Sequence, residues 1–410
     1  MTIDPLLFHH LQKRGVVIHA PESITIEGVQ PERIQAGVEI FPGVNLRGED
    51  TLLGAGTRLG RAGGGWFENV RAGRRVDLYG GYFQDCVFLD GVTMRGQSEV
   101  RGGTLLEEEC EAAHHVGYKM TIQLPWVVAG SLVNFCDALV SGGTSRKDHS
   151  EIGSTLALYN YTPWGDKFAS LFGDVPNGVF CRQKRIFIGG QTQIVSPVHM
   201  GFGSVLAAGS SLRRSVAENR LVSCAATDFD MPFDGVRYGA LTPKFELTLR
   251  YIGNLHALLT FYKMVRLPST DNPFETALYN AAMQQITQGI GERTKRLDEL
   301  AKRLPASLEA WRSSPHDATT VKRIAEHERW MTDWARWKKL QAQRTAVADS
   351  AKPALSPVAN ALRERRAGIS VPEFLARHLS IEVVEPAISA LQSVVNTCCL
   401  TKTAPSSIRA

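Results

Sequence analysis

Several features that would place this chain at once are missing. No apolar run approaches the roughly 18 residues that a membrane-crossing helix needs. The start, MTIDPLLFHHLQKRG, has no basic region followed by a long apolar stretch, so it does not read as a secretory signal. Seven cysteines, at 86, 110, 136, 181, 224, 398 and 399, form no CxxC pair and no even set, which argues against a disulfide frame. They read as small hydrophobes in a reduced, cytoplasmic protein. Histidines 114, 115, 149 and 199 include no H-x4-H pair, so the reading is that no metal is bound. Charge is mild: a net +5 fits a small anionic molecule and does not call for nucleic acid. With 43% hydrophobic and 21% charged residues the composition is globular, and 410 residues exceed one ordinary domain.

What is present is a period of six. Val70, Val76, Tyr82, Phe88, Met94, Val100, Leu106 and Ala112 are spaced six apart and read as inward positions. Cys86, Val92, Ser98, Thr104 and Cys110 follow four residues after and are small or β-branched. The register returns at Ile188, Ile194, Met200, Leu206 and Leu212, with Thr192, Val198, Ser204 and Ser210 as small partners. Upstream, Ile40 and Leu46 pass through a one-residue slip to Leu53 and Leu59, with Val44 and Thr57 beside them. A helix repeats at 3.6 and a half-buried strand at 2. A period of six belongs to a coil with three flat sides, one large residue inward per side, which is a hexapeptide β-helix.

Residues 1–35 read as an amphipathic start around Leu6, Leu7 and Leu11, then irregular first coils around Ile18, Ile24 and Ile26, because the end of a solenoid needs a cap. Arg71, Arg74 and Arg75 beside Trp66 and Phe67 read as exposed turn arginines, with a phosphate patch as the alternative. The stretch Gly54-Ala55-Gly56-Thr57-Arg58 imitates a nucleotide-cradling loop, yet Leu53 and Leu59 occupy repeat positions and too little chain precedes them for a Rossmann-like domain. That reading is rejected. Between 117 and 187 the hexads break and polar residues collect, as expected of loops inserted at solenoid corners.

Motifs within that region resemble a known family. Lys119 is followed by Ala129-Gly130-Ser131-Leu132-Val133-Asn134-Phe135-Cys136-Asp137, then Asn160-Tyr161-Thr162-Pro163-Trp164-Gly165-Asp166-Lys167, then Ile188-Gly189-Gly190-Gln191-Thr192-Gln193-Ile194-Val195-Ser196-Pro197, and Ala207-Ala208-Gly209. This order is similar to the acetyltransferase half of the bifunctional bacterial UDP-N-acetylglucosamine pyrophosphorylase/glucosamine-1-phosphate acetyltransferases, across about residues 36–215. There, a lysine precedes A-G-H-L-x-Y-x-G-D, followed by N-Y-D-G-x-x-K and V-G-S-x-T-Q-L-V-A-P. The resemblance implies a left-handed parallel β-helix, a homotrimer with sites between adjacent coils, and transfer of an acyl group from acetyl-CoA or another acyl-CoA. It assigns substrate contacts to Lys119, Ser131, Asn134, Asn160, Tyr161 and Lys167, and cofactor contacts to Gly190 and Ala208.

The departures matter as much. The family's histidine base falls on Ser131 and its tyrosine on Asn134, and a serine hydroxyl is far too weak a proton acceptor near neutral pH. No pyrophosphorylase domain is expected in this chain. The replacement base is His149, in Ser145-Arg146-Lys147-Asp148-His149-Ser150-Glu151, because imidazole titrates near working pH. Asp148 or Glu151 is expected to orient it, and Arg146 and Lys147 to take a phosphate. The alternative is a solvated charged loop with an incidental histidine. His114 and His115 are second candidates. Arg182, Lys184 and Arg185 form a basic run suited to coenzyme A phosphates, or else ordinary surface.

From about 240 the period becomes helical: Phe245 to Leu267, Pro273 to Leu304, Ala318 to Val347 and Val371 to Leu400, with Asn272 as a cap and a break from Pro353 to Ala359. Trp330, Trp334 and Trp337 share one helical face and read as packing. Alternating acids such as Glu292, Asp298, Glu299, Glu326 and Glu328 read as a salt-bridged solvated face. The expected organisation is a cap over 1–35, a β-helix over 36–239 with loops inserted at 117–187, and an α-helical domain over 240–410. The expected function is an acyl-CoA-dependent acyltransferase acting on a sugar phosphate or nucleotide sugar, with no nucleic acid or membrane partner. The rival is a non-catalytic relative that binds a sugar nucleotide or scaffolds a complex through its helices.

Overall fold

A computed structural model describes residues 3–159 and 162–399. A short helix α1 (Pro5–Lys13) opens the chain, capped by Asp4, whose carboxylate accepts from the Leu6 and Leu7 amides. Its Leu11 is fully buried on the first coil. The chain then winds into a parallel β-solenoid of about eleven turns, counted on the first side, where eleven short strands stack in chain order.

Each turn has three sides. On the first, Ile40, Leu59, Leu78, Met94, Ala112, Ala129, Ile152, Ile188 and Leu206 stack inward. The second carries Ile26, Leu46, Phe67, Phe83, Val100, Tyr118, Phe135, Ala157, Ile194 and Leu212. The third carries Leu53, Ala72, Phe88, Leu106, Gln123, Val140, Phe172 and Met200. Where large residues coincide they stack, as Phe67 does on Phe83 with centroids 5.1 Å apart. Glycine appears where turns approach too closely for a Cβ: one built on Gly81 would stand 2.0 Å from the Ser98 carbonyl oxygen.

The downstream repeat is as read, with Ile188, Ile194, Met200, Leu206 and Leu212 all inward. The first block needs correction. Tyr82 points outward and is 37% exposed, while Phe83 fills the core. The sides from Ala72 to Leu78, Phe83 and Phe88 are six, five and five residues long, so Val70 and Val76 are the small-partner positions, two before the inward Ala72 and Leu78. Nor do the coils stop at 117: Tyr118, Ala129, Phe135 and Val140 continue them. The pattern was hidden because Gln123 occupies an inward position, where its side-chain amide donates to the Tyr118 hydroxyl at 2.9 Å. Arg71 is also not an exposed turn residue: it is 5% exposed and donates to the Asn69 carbonyl.

Helix α2 (Val175–Gly178) sits on the third side. Beyond Val222 an irregular segment leads to α3 (Thr242–Phe261), which runs into a π turn over Tyr262–Arg266. Then come α4 (Pro273–Arg312), α5 (Ala318–Lys339), α6 (Gln341–Ser350), α7 (Lys352–Arg363), α8 (Val371–Arg377) and α9 (Ile381–Asn396). Asn272 caps α4 by accepting from the Phe274 and Glu275 amides, as read. The expected break at Pro353–Ala359 is instead helix α7, because Pro353 stands in the first turn, where a missing N–H leaves nothing unpaired. The stretch Ala318–Val347 breaks at Leu340, and Val371 to Leu400 is two helices; Leu400 itself lies outside the described residues. Trp330, Trp334 and Trp337 are buried with Phe245 stacked on Trp330 at 4.5 Å, which makes the stripe core. No helix among the described residues is long and apolar enough to cross a membrane.

The helical region covers the third side of the solenoid. Apart from Arg71, which stands between Leu52 and Val87, the outward residues there from Leu52 to Leu171 are apolar: Leu52, Val87, Leu105, Ile122, Leu139 and Leu171 form one core with α3, α4, α7 and α9. A side that alternates inward and outward yet is apolar on both faces is a sheet buried on both faces.

Candidate functional site

The three corners of the coil carry the polar residues, and they carry different sets. The corner between sides one and two holds Ser131, with His114 one turn below it: the Leu132 amide donates to the His114 carbonyl at 3.1 Å. His114 and His115 are exposed and their Nδ1 atoms lie 2.9 Å apart. Further along the same corner come Gly190 and Ala208, stacked through the Gly209 amide to the Gly190 carbonyl at 2.9 Å. Asn134 is exposed on side two just after this corner, level with Gly117 and Leu156.

The corner between sides two and three gathers the two lysines. Lys119 is level with Cys136, and both Lys119 and Lys167 lie close enough to lower the pKa of the Cys136 thiol and the Asp137 carboxyl against the rise that burial imposes. Asp137 is 5% exposed and pairs with Arg293 of α4 at 2.8 Å; Arg293 also donates to the Lys167 carbonyl at 2.9 Å. Asp166 accepts from the Tyr238 hydroxyl at 2.6 Å and from Arg303 at 2.8 Å. The inserted loop is therefore anchored to the helical region. Asn160 and Tyr161 lie outside the described residues.

The corner between sides three and one holds His149. A hairpin pairs Gly143–Ser145 with Asp148–His149 and stands off the coil. His149 Nδ1 lies 2.8 Å from the Arg146 carbonyl oxygen. A carbonyl only accepts, so Nδ1 carries the proton and the lone pair is on Nε2, which has no hydrogen-bond partner among the described residues. Asp148 does not orient the ring: its carboxylate accepts from Thr144 at 2.9 Å and faces Arg185 at 3.7 Å. Arg146 is committed to the Glu109 and Trp126 carbonyls and to Glu111. Lys147 is exposed. Of the basic run, Arg182 donates to the Leu375 and Leu379 carbonyls and holds α8, and Lys184 donates to Asn219 at 2.8 Å.

The structure thus brings Lys119 and Lys167 together, aligns Ser131 with Gly190 and Ala208, and groups His149 with Lys147 and Arg185, on three separate corners. Sequence spacing could not assign corners, because five-residue sides and loops shift the register. Sequence reading also missed the carboxylates Glu107 and Glu108, which stand on the His149 corner and are buried against Arg266.

No known family model matches the chain. Among curated proteins it is 26% identical over 210 residues to the bifunctional protein GlmU of Acaryochloris marina, covering 51% of this chain and 41% of that protein. The bifunctional protein GlmU of Lawsonia intracellularis is 29% identical over 220 residues, at 53% and 43% coverage, and that of Nitratidesulfovibrio vulgaris is 26% identical over 233 residues, at 55% and 45%. The chain spans less than half the length of these relatives. Together with the β-solenoid, this likeness makes the chain a distant relative of the bifunctional proteins GlmU over about half its length, and it resembles hexapeptide-repeat transferases.

Proposed function

We propose that this protein transfers an acyl group from an acyl-CoA such as acetyl-CoA to an amine or hydroxyl of a sugar phosphate or nucleotide sugar, with His149 as general base. The observation that supports this most directly is the held tautomer of His149, which presents an unpartnered Nε2 lone pair on the hairpin that also carries Lys147, with Arg185 3.7 Å from the adjoining Asp148. In the reaction the acceptor N–H or O–H gives its proton to Nε2 as its heteroatom attacks the thioester carbonyl. The tetrahedral species collapses by releasing the coenzyme A thiolate, which takes the proton back. Exposed Lys147 and Arg185 are placed to receive a phosphate. Lys119, Asn134 and Lys167 lie on other corners, so a site that uses them with His149 is completed only between copies, which is the reason to propose a homotrimer. A reduced, cytoplasmic setting belongs to the same proposal.

A second reading has its own observation. The loops that resemble the family's site serve here as anchors: Asp137 to Arg293, Asp166 to Arg303, Arg182 to α8. A non-catalytic sugar-nucleotide binder or scaffold keeps those anchors and loses nothing through Ser131. Calorimetric titration with acetyl-CoA separates the two, because only the enzyme reading requires binding. With an acceptor found by screening, His149→Ala lowers the rate by about 10²–10⁴ if His149 is the base, while Ser131→Ala removes a hydrogen bond of about 1 kcal/mol. Full turnover in His149→Ala would show that the base lies elsewhere.

A further inference from the structure

We infer that the cavity between the His149 corner of the solenoid and the helical region is a second binding site, for a small phosphate ester that carries hydroxyl groups. The cavity has a volume of about 260 Å³, more than a bare ion needs and just below the range of about 300–1,000 Å³ common for ligand pockets. Its walls come from Arg74, Arg75, Asp90 and Glu109 of the solenoid, from the first turns of α4, and from the Arg365 to Val371 connection between α7 and α8.

The charges in it are unevenly satisfied. Arg74 is held by Glu275 at 2.8 Å and lies 3.7 Å from Asp90. Glu108 belongs to Arg266. Arg75 and Arg365 line the same space, and their guanidinium groups make no hydrogen bond or close ion pair to any described residue, although Arg75 stands near enough to Asp90 and Glu109 to favour their charged forms. A guanidinium fork matches two phosphate oxygens in geometry and charge, so two unpaired arginines in one recess fit a phosphate monoester. The carboxylates fix the remainder of the ligand. Burial raises both Asp90 and Glu109, so each is poorly hydrated and gains from a hydroxyl donor. Leu89, Leu278 and Tyr279 add an apolar wall against which a carbon skeleton can lie. Inorganic phosphate uses only the arginines, and a neutral sugar only the carboxylates. A hydroxylated phosphate ester uses both.

This inference does not rest on the acyltransferase reading, and direct binding tests it. Calorimetric titration of the full chain with glucose 6-phosphate is expected to show binding that the arginine variants weaken, with inorganic phosphate weaker and glucose undetectable. Arg75→Ala combined with Arg365→Ala should weaken glucose 6-phosphate at least ten-fold, because each removes a charged hydrogen-bond donor to the phosphate. Arg365→Ala alone, in an exposed connection, should weaken it about three-fold or more and guards against a folding defect in the double variant. Absence of binding to the unaltered chain, or equal binding by the folded Arg365→Ala and double variants, would overturn the proposal.

Discussion

Arg266→Met should loosen the helical region from the solenoid, and the loss should depend on pH. Arg266 is 1% exposed at the end of the π turn after α3, in contact with two carboxylates from one corner. It forms a two-pronged pair with Glu108, one prong at 3.0 Å, and faces Glu107 at 3.5 Å. The Tyr262 hydroxyl donates to Glu107 at 2.6 Å. Tyr262 and Arg266, at the two ends of the π turn, both reach Glu107. Removing only the cation leaves two buried carboxylates without a counter-charge, a change that costs about 3–5 kcal/mol.

The sign of the pH effect follows from Glu107. Burial pushes its pKa up from 4.5 to about 7, even against the opposing charge of Arg266. An acid whose pKa is raised on folding binds its proton more tightly in the folded state. Stability therefore falls as pH rises from about 4.5 to about 7, by about 3 kcal/mol for that interval at 1.36 kcal/mol per unit. Without Arg266, Glu107 titrates higher still, so the variant should lose about 3–5 kcal/mol at pH 8 and much less at pH 5, where a protonated Glu107 needs no cation. Urea unfolding of both proteins at the two pH values measures this, and titration elsewhere cancels in the difference. Glu107→Gln and Glu108→Gln added to Arg266→Met should recover most of the loss. A penalty below about 1 kcal/mol at pH 8, or one equal at both pH values, would refute the argument.

Tyr118→Phe should cost about 1–3 kcal/mol, because it strands the Gln123 amide inside the coil with no acceptor, whereas Tyr118→Phe with Gln123→Leu should restore most of it; chemical denaturation of the three proteins decides. Light scattering at micromolar concentration should give three copies per particle if the corners are joined between chains, and a stable monomer would dispose of the intersubunit site.

The fold was legible because a period of six has no other common source, and because Ile188 to Leu212 keep it without a slip. The register at Phe83 was not legible, since Tyr82 and Phe83 are both large and aromatic and only the five-residue side decides between them. The site was less legible still. Lys119 and Lys167 are 48 residues apart in sequence yet share one corner, while His149, between them in sequence, stands on another. Helical spacing gave the tryptophan stripe, but nothing local to Glu107 and Glu108 announces that an arginine about 160 residues later will bury them.

The third side shows what the hexad pattern alone could not say about the helices. A hexad specifies its inward residue and leaves the outward ones open, so Leu52, Val87, Leu105, Ile122, Leu139 and Leu171 look like tolerated variation in a repeat. From Val87 to Leu171 they form a continuous apolar column, with Arg71 between Val87 and Leu52, and it is matched by the buried faces of α3, α4, α7 and α9. Each aliphatic side chain covered there contributes on the order of 2 kcal/mol relative to exposure, which gives the helices and the third side a shared core distinct from the inward one. Residues 1–223 expressed alone should therefore retain a β-rich circular dichroism spectrum but bind a hydrophobic dye and self-associate through that side. Replacing Leu105, Ile122 and Leu139 with threonine, which keeps strand propensity on a solvated face, should return the fragment to solution. If residues 1–223 stay dispersed and dye-free without those changes, the apolar column is not what holds the helices in place, and the polar clamps at Arg266, Arg293 and Arg182 carry the attachment instead.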